Sequence, residues 1–205
     1  MKTRFRGRLI TIVGFDGSGK TTQVDALERR FREAGRDVLS TRQPTDWYRN
    51  QELVQHFHDN GGSQQRARML ALLAAADRLH HVQQVIIPAL TRGCVVICDR
   101  YVYATFGVFL HRGVEFELLV NINKGIPRPD FAFYLRLPPA ALLARLRQRD
   151  GTNLKFEERS LDRVASIVGV YEQMGAHLIP VDGTNDAQAV SNDIWDKCGS
   201  GFRDE

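Results

Sequence analysis

The chain has 205 residues, 43% of them apolar and 25% charged, which is enough for one well-buried domain and argues against two. Its 28 lysines and arginines against 24 aspartates and glutamates give a net charge of +4. That excess is dispersed, without the long basic run of a nucleic-acid-binding arm, so it suits phosphorylated small molecules and excludes an obvious nucleic-acid partner.

The N-terminal basic residues Lys2, Arg4, Arg6 and Arg8 alternate with other residues and lead into Leu9 to Val13, a β-rich run too short for a signal-peptide core or a membrane span. A cytosolic protein without membrane contact is expected. The next residues read Gly14-Phe15-Asp16-Gly17-Ser18-Gly19-Lys20-Thr21-Thr22, a complete G-x-x-x-x-G-K-[ST] loop between a strand and an amphipathic segment that runs to Ala34. Glycines let backbone amides curl around an anion, the helix N-terminus adds its positive dipole end, Lys20 brings a mobile charge and the Thr21 hydroxyl suits Mg²⁺. Gly14, Gly17, Ser18, Gly19, Lys20, Thr21 and Thr22 are therefore the candidate ATP-binding residues.

A second strand is expected over Asp37 to Thr41. From Ser63 to Arg92 apolar residues recur at helical spacing through Met69, Leu72, Leu73, Leu79, Val82 and Ile86, which predicts one or two long helices. Inside that stretch Ala75-Ala76-Asp77-Arg78 puts an arginine among apolar residues, a costly place unless an anion or a carboxylate meets it, so Arg78 is a candidate acceptor-binding residue. The adjacent His80 and His81 point in different directions on a helix and do not make a metal pair.

Val95 to Cys98 reads as the third strand, and Asp99-Arg100-Tyr101 follows it. A carboxylate at the carboxyl end of an apolar strand is where a phosphate-loop enzyme orients Mg²⁺, and the neighbouring arginine can hold a second phosphate. The simpler alternative is a helix cap with a surface ion pair. Strands over Phe131 to Leu135 and His177 to Val181 complete five runs alternating with helices. The fold class is therefore α/β, a three-layer α/β/α sandwich on a five-stranded parallel sheet.

Between the last two strands, Arg145, Arg147 and Arg149 precede the polar stretch 150–160. A mobile lid near 145–160 is expected there, with an arginine able to neutralise charge on a transferring phosphoryl group. A solvated helix end is the alternative. Cys94, Cys98 and Cys198, with no Cys-x-x-Cys pair, support neither a disulfide framework nor a zinc site.

Taken together, the phosphate loop through Gln23, Thr41-Arg42-Gln43-Pro44, Ala75-Ala76-Asp77-Arg78 with Pro88-Ala89-Leu90, Asp99-Arg100-Tyr101, Arg128-Pro129-Asp130 and Val181-Asp182-Gly183 resemble a thymidylate kinase along nearly the whole chain. The resemblance implies a single P-loop NTPase domain over 1–205, ATP as co-substrate with Mg²⁺, a nucleoside monophosphate as acceptor, and a homodimer. It carries Lys20 to the ATP phosphates, Thr21 and Asp99 to the metal, Arg100 to the acceptor phosphate and Asp16 to the neighbourhood of the acceptor sugar and phosphate. Arg42, Ala74, Arg78 and Tyr101 fall on acceptor-binding positions, and one of Arg145, Arg147 and Arg149 on the catalytic lid arginine, because Gly17 and Ser18 leave none in the loop.

Departures from the family concentrate around the base. Val13 and Gln43 replace two acidic residues, and Ala74 stands where the family stacks a phenylalanine on thymine, so the pocket has room for a larger base unless Tyr103, Phe106 or Phe109 fills it. The leading expectation is a dTMP kinase. The alternatives are a kinase for another or modified nucleotide or for a deoxynucleoside, a non-catalytic nucleotide-binding relative, or a GTPase-type switch. The last lacks an Asn-Lys-x-Asp motif, since Asn123-Lys124-Gly125-Ile126 has no aspartate.

Overall fold

Each of the five β-branched or aromatic runs becomes a strand: β1 Arg8–Val13, β2 Val38–Arg42, β3 Val95–Asp99, β4 Phe131–Arg136 and β5 Ile179–Asp182. The computed structural model describes residues 5–199 and residue 202; Lys2 and Arg4 of the basic N-terminal alternation lie outside the described residues. All four strand pairings are parallel, in the order β2-β3-β1-β4-β5. The sheet is buried on both faces, as crossover helices require. On one face Ile10, Ile12, Val95 and Ile97 join a cluster with Val24, Leu27 and Phe31 of α1 (Lys20–Glu33). On the other, Leu9, Val96 and Cys98 meet Val82, Ile86 and Leu90.

The expected long helix exists but is interrupted. α4 (Gln64–His81) passes through a π-helical turn at Val82–Ile86 into α5 (Ile87–Arg92). Pro88 sits in the first turn of α5, where its missing N–H and its ring crowd the carbonyl four residues back, inside the π turn.

The burial of α4 differs from its hydrophobic reading. Val82 and Ile86 are buried, but Met69, Leu72 and Leu79 are each nearly half exposed, and the packed face carries Leu70, Ala71 and Ala74 instead. Periodicity found a helix with two apolar faces and selected the outer one. The inner face joins Tyr48 of α2 (Asp46–Arg49), Val54 and Phe57 of α3 (Glu52–Asn60), Phe109 of α6 (Tyr101–His111) and Leu119 of α7 (Phe116–Ile122) in a third cluster, which contains no strand residue.

α8 (Pro139–Asp150), a 3₁₀ turn at Phe156–Arg159, α9 (Leu161–Gln173), a second 3₁₀ turn at Gly175–His177 and α10 (Ala187–Gly199) complete the described elements. Within the stretch 150–160, expected to be a mobile polar segment, residues 151–153 are exposed, while Phe156–Arg159 form a 3₁₀ turn with Glu157 and Glu158 buried.

Ala74 is 1% exposed inside the helical cluster. A phenylalanine there has to push aside its neighbours in that buried cluster, so Ala74→Phe should lower stability by about 1–3 kcal/mol in chemical denaturation, as overpacked cores do.

Candidate active site

β1 ends at Val13 and the chain turns through Gly14 to Gly19 into the N-terminus of α1. Gly17 has φ +82° and a Cβ there would lie 3.3 Å from Leu146 Cγ, while a Cβ on Gly14 would lie 2.6 Å from Ser18 Oγ. The loop thus needs glycine at both places to keep its amides open to an anion. Lys20 folds back over it, its Nζ donating to Phe15 O at 2.8 Å and lying 3.6 Å from Asp16 Oδ1. Burial is the main reason the Lys20 ammonium titrates low, at about 8, with Arg100 adding repulsion that Asp16 and Asp99 only partly offset.

The neighbouring strand delivers the second half of the site. Register pairs Ile12 with Asp99, so the end of β3 lies beside the start of the loop. Arg100 and Tyr101 then both adopt positive φ, 78° and 53°. Such backbone costs about 1–3 kcal/mol per residue for a side chain other than glycine and persists only where surroundings enforce it. Here the Arg100 N–H donates to Ile12 O at 2.9 Å and the Tyr101 hydroxyl donates to Pro127 O at 2.8 Å. The turn aims the Arg100 guanidinium at Asp16, with which it makes a close ion pair. Burial alone would raise the Asp16 carboxyl and lower Arg100; the ion pair outweighs it, holding Asp16 well below the usual carboxylate range and Arg100 above the usual guanidinium range.

A cavity of about 380 Å³ opens from this pair. Its walls come from four places: Phe15 and Asp16 of the loop, Tyr48 and Arg49 of α2 with His58 of α3, Arg100, Thr105 and Phe109 of β3 and α6, and Lys155, Glu157, Glu158 and Tyr171 of the lid and α9. Lys155 Nζ lies 3.4 Å from Asp16 Oδ2, which gives that carboxylate a third cation. The lid is pinned in place. Glu157 pairs with Arg112 in a buried ion pair, and the Phe156 ring lies between the guanidinium carbons of Arg112 at 4.5 Å and Arg163 at 3.8 Å.

The structure brings together Gly14 to Lys20, Asp16, Asp99 and Arg100 from the expected set. Thr21 is exposed in the first turn of α1, and Thr22 follows it there. The other expected acceptor residues stand apart from the cavity. Ala74 is buried outside the cavity in the same helical cluster as Tyr48 and Phe109, and it is those two rings that reach the cavity wall. Of the three aromatic candidates to take the place of the missing phenylalanine, Phe109 lines the cavity, Phe106 packs against the same helical cluster and Tyr103 packs against the main core.

Arg42 is exposed and paired with Asp46, and Tyr101 is wholly buried under Pro127. Arg78 is also buried, donating to Gln43 Oε1 at 3.2 Å and closely to Asn123 Oδ1 and Thr105 Oγ1. Burial brings its guanidinium down to about 10. It touches the cavity only through Thr105, and it has neutral partners in place of the anion expected from its position.

None of the three lid arginines lines the cavity. Arg145 donates to Gly183 O at 3.3 Å, Arg149 pairs with Asp150 beside it, and Arg147 is exposed on the same helix. Arg49, Tyr48, His58, Lys155 and Glu158 were not anticipated. No short motif marks them; the faint signal was Lys155 as a basic residue inside the lid segment.

Mg²⁺ fits what is present. Asp99 Oδ1 is buried without a hydrogen-bond partner, and the described residues contain no cluster of three His, Cys, Asp or Glu side chains suited to a metal. One carboxylate and a hydroxyl are the protein share expected of Mg²⁺ that reaches a site bound to phosphates.

The family model described as Thymidylate kinase matches residues 12–194. A probable thymidylate kinase of Pyrococcus abyssi is 45% identical over 156 residues, 75% of this chain and 76% of that protein. Thymidylate kinases of Xanthomonas campestris pv. campestris and Afipia carboxidovorans are each 36% identical, over 90% and 93% of this chain and 79% and 88% of theirs.

Because Lys20 is charged below about pH 8 and neutral above it, a polyphosphate that favours the ammonium should bind with proton uptake around pH 8–9 and more weakly as pH rises further. Calorimetric titration of ATP in buffers of different ionisation enthalpy should show that uptake, and Lys20→Met should abolish it.

Proposed function

The chain belongs to the thymidylate kinase family, and from that premise we propose that it transfers the γ-phosphoryl of ATP to the 5′-phosphate of dTMP. The observation that carries the reading is the juxtaposition of a phosphate loop with a second cationic pair, Arg49 and Arg100, on one cavity. A donor triphosphate belongs on the loop amides and Lys20, and an acceptor monophosphate between the two arginines.

Arg100 reaches the acceptor phosphate by exchanging Asp16 for it, and its raised pKa keeps it charged throughout. Lys20 holds the donor phosphates from the other side of the same carboxylate. The Thr21 hydroxyl and Asp99 would hold Mg²⁺, which would supply charge neutralisation on the donor phosphates. No covalent intermediate on the protein is required: the acceptor oxygen attacks in line while fixed cations absorb the developing charge. The lid cation placed to do this is Lys155. Arg145 and Arg149 brace backbone and helix end instead, so Lys155 takes the part expected of a lid arginine.

dTMP is favoured over a bulkier acceptor because Ala74 is buried outside the cavity, so its small side chain adds no room there, and Tyr48 and Phe109 line the wall instead. A homodimer is supported by the outward stripe of Met69, Leu72 and Leu79 on α4, which a partner copy would cover. No helix among the described residues is long and apolar enough to cross a membrane. The three free cysteines suit the reducing cytoplasm.

In a coupled assay of ADP release with a panel of monophosphates, dTMP should be the best acceptor, and release without an acceptor should be negligible. Lys155→Ala should lower kcat by about 10²-fold or more with smaller changes in KM, whereas Arg145→Ala, Arg147→Ala and Arg149→Ala should each stay within about tenfold of the parent. Full kcat in Lys155→Ala would return the lid charge to one of the arginines.

A further inference from the structure

Gln43 follows the last residue of β2 and is fully buried, and both ends of its amide are committed. Its Oε1 accepts from Arg78 Nε at 3.2 Å, and its Nε2 lies 2.9 Å from His81 Nδ1. A guanidinium only donates, so the amide oxygen has to face Arg78 and the amide N–H has to face His81. The Nδ1 of His81 is then the acceptor, and the ring proton sits on Nε2, 2.9 Å from Thr41 Oγ1. Burial lowers the pKa of that ring, against the pull of Asp77 and with help from His80, both on α4. Asp77 is itself taken up by the backbone N–H and the hydroxyl of Thr45, and from the β2 side the ring meets the neutral Thr41 and Gln43. At its other end the chain of bonds reaches the cavity, where Arg78 donates to Thr105 Oγ1 on the wall. An oxygen that accepts from a guanidinium turns its own proton away from it, so Arg78 sets the directions in which the Thr105 hydroxyl can donate.

We propose that Gln43 and His81 form a matched pair of positioning residues for the acceptor wall, the neutral imidazole orienting the Gln43 amide and the amide holding Arg78 behind Thr105. The inference rests on the kinase reading and adds two residues to it, neither of which lines the cavity. The identity of residue 43 is tied to that of residue 81. An acidic residue, which Gln43 replaces, would meet Arg78 with a carboxylate but offer no donor to Nδ1, and it would draw a proton onto the ring. With glutamine the opposite holds. A protonated His81 would put an N–H against the Gln43 amide N–H, and turning the amide over would put that N–H against Arg78 Nε, so either way a buried hydrogen bond is lost. The arrangement is therefore complete above the ordinary histidine value of 6.5 and is lost as pH falls below it, through the lowered value of His81. Thr105 stands on the α6 wall with Phe109 and not on the phosphate loop, so the loss falls on acceptor binding rather than on ATP or the transfer step.

The test is steady-state kinetics of ADP release from ATP and dTMP by the full chain, Gln43→Met, His81→Asn and Gln43→Glu across the histidine range of pH, with thermal melting alongside. Gln43→Met should raise the KM for dTMP by about tenfold, with kcat and the KM for ATP within about threefold of the parent. His81→Asn keeps an acceptor where Nδ1 stands but cannot titrate. It should hold the parent KM at alkaline pH and lose the rise that the parent shows below 6.5, and comparing the two removes the titration of the nucleotides' own phosphates. Relative to His81→Asn, Gln43→Glu should invert the profile, with the KM for dTMP lowest at acid pH and climbing as the ring loses its proton; this keeps the pair testable if the methionine variant does not fold. Equal losses on dTMP and ATP, or a fall in kcat with the acceptor KM unchanged, would make the pair a brace of the fold and overturn the proposal, as would one pH profile shared by the parent and His81→Asn. If the parent releases no ADP with dTMP, the kinase reading fails and the proposal with it; turnover with an acceptor KM indifferent to all three variants sinks the pair alone.

Discussion

One carboxylate organises the site. Asp16 meets Arg100 from the end of β3, Lys20 from the first turn of α1 and Lys155 from the lid, so three segments distant in sequence converge on two oxygen atoms. Without it the three cations would repel one another at close range, and the Arg100 guanidinium would lose its partner. The same ion pairs keep the carboxyl ionised where burial alone would protonate it.

Around that centre the walls divide by origin. The floor is sheet, where main-chain register fixes Asp99 against the loop. The far wall comes from α2, α3 and α6, with Tyr48 and Phe109 facing the cavity and belonging to the cluster that buries Ala74. Behind it runs a buried polar chain: Thr105 accepts from Arg78, which donates to Gln43, which donates through Nε2 to His81 Nδ1 at 2.9 Å, and His81 Nε2 faces Thr41 Oγ1 at 2.9 Å. This fixes His81 as a neutral ring with its proton on Nε2, in keeping with burial lowering its pKa. A charged arginine is thereby held among neutral groups, and rotation of Thr105 would be felt through four side chains.

Legibility in the sequence followed the range of the physics involved. The phosphate loop and the strand-end Asp99-Arg100 were readable because their function depends on local backbone geometry, and a few residues suffice to specify that. The three central strands were readable because burial on both faces forces nearly continuous apolar runs, whereas the edge strands β2 and β5 are only partly buried and were marked by their β-branched residues. Ala74 illustrates the limit: its own identity announces a missing ring, but Tyr48 and Phe109, which line the cavity instead, stand 26 and 35 positions away on other helices, and no spacing rule connects them. Lys155 and Glu158 were hidden for the same reason. Their segment reads as solvated loop, and only the Arg112, Phe156 and Arg163 packing turns it inward. On α4, periodicity could not distinguish a face that packs inside the protein from one left at the surface.

The charge arrangement also bears on the proposed reaction. Three cations close to one point would be costly to hold unpaired, and Asp16 pairs with all of them, keeping Arg100 and Lys155 aimed at one point while Lys20 stays folded over the loop. On the kinase reading, entering phosphates would let each cation change partner over a short distance, with the geometry that stabilises developing charge already set. A carboxylate inside a phosphate loop, which at first sight opposes anion binding, would thus preorganise it.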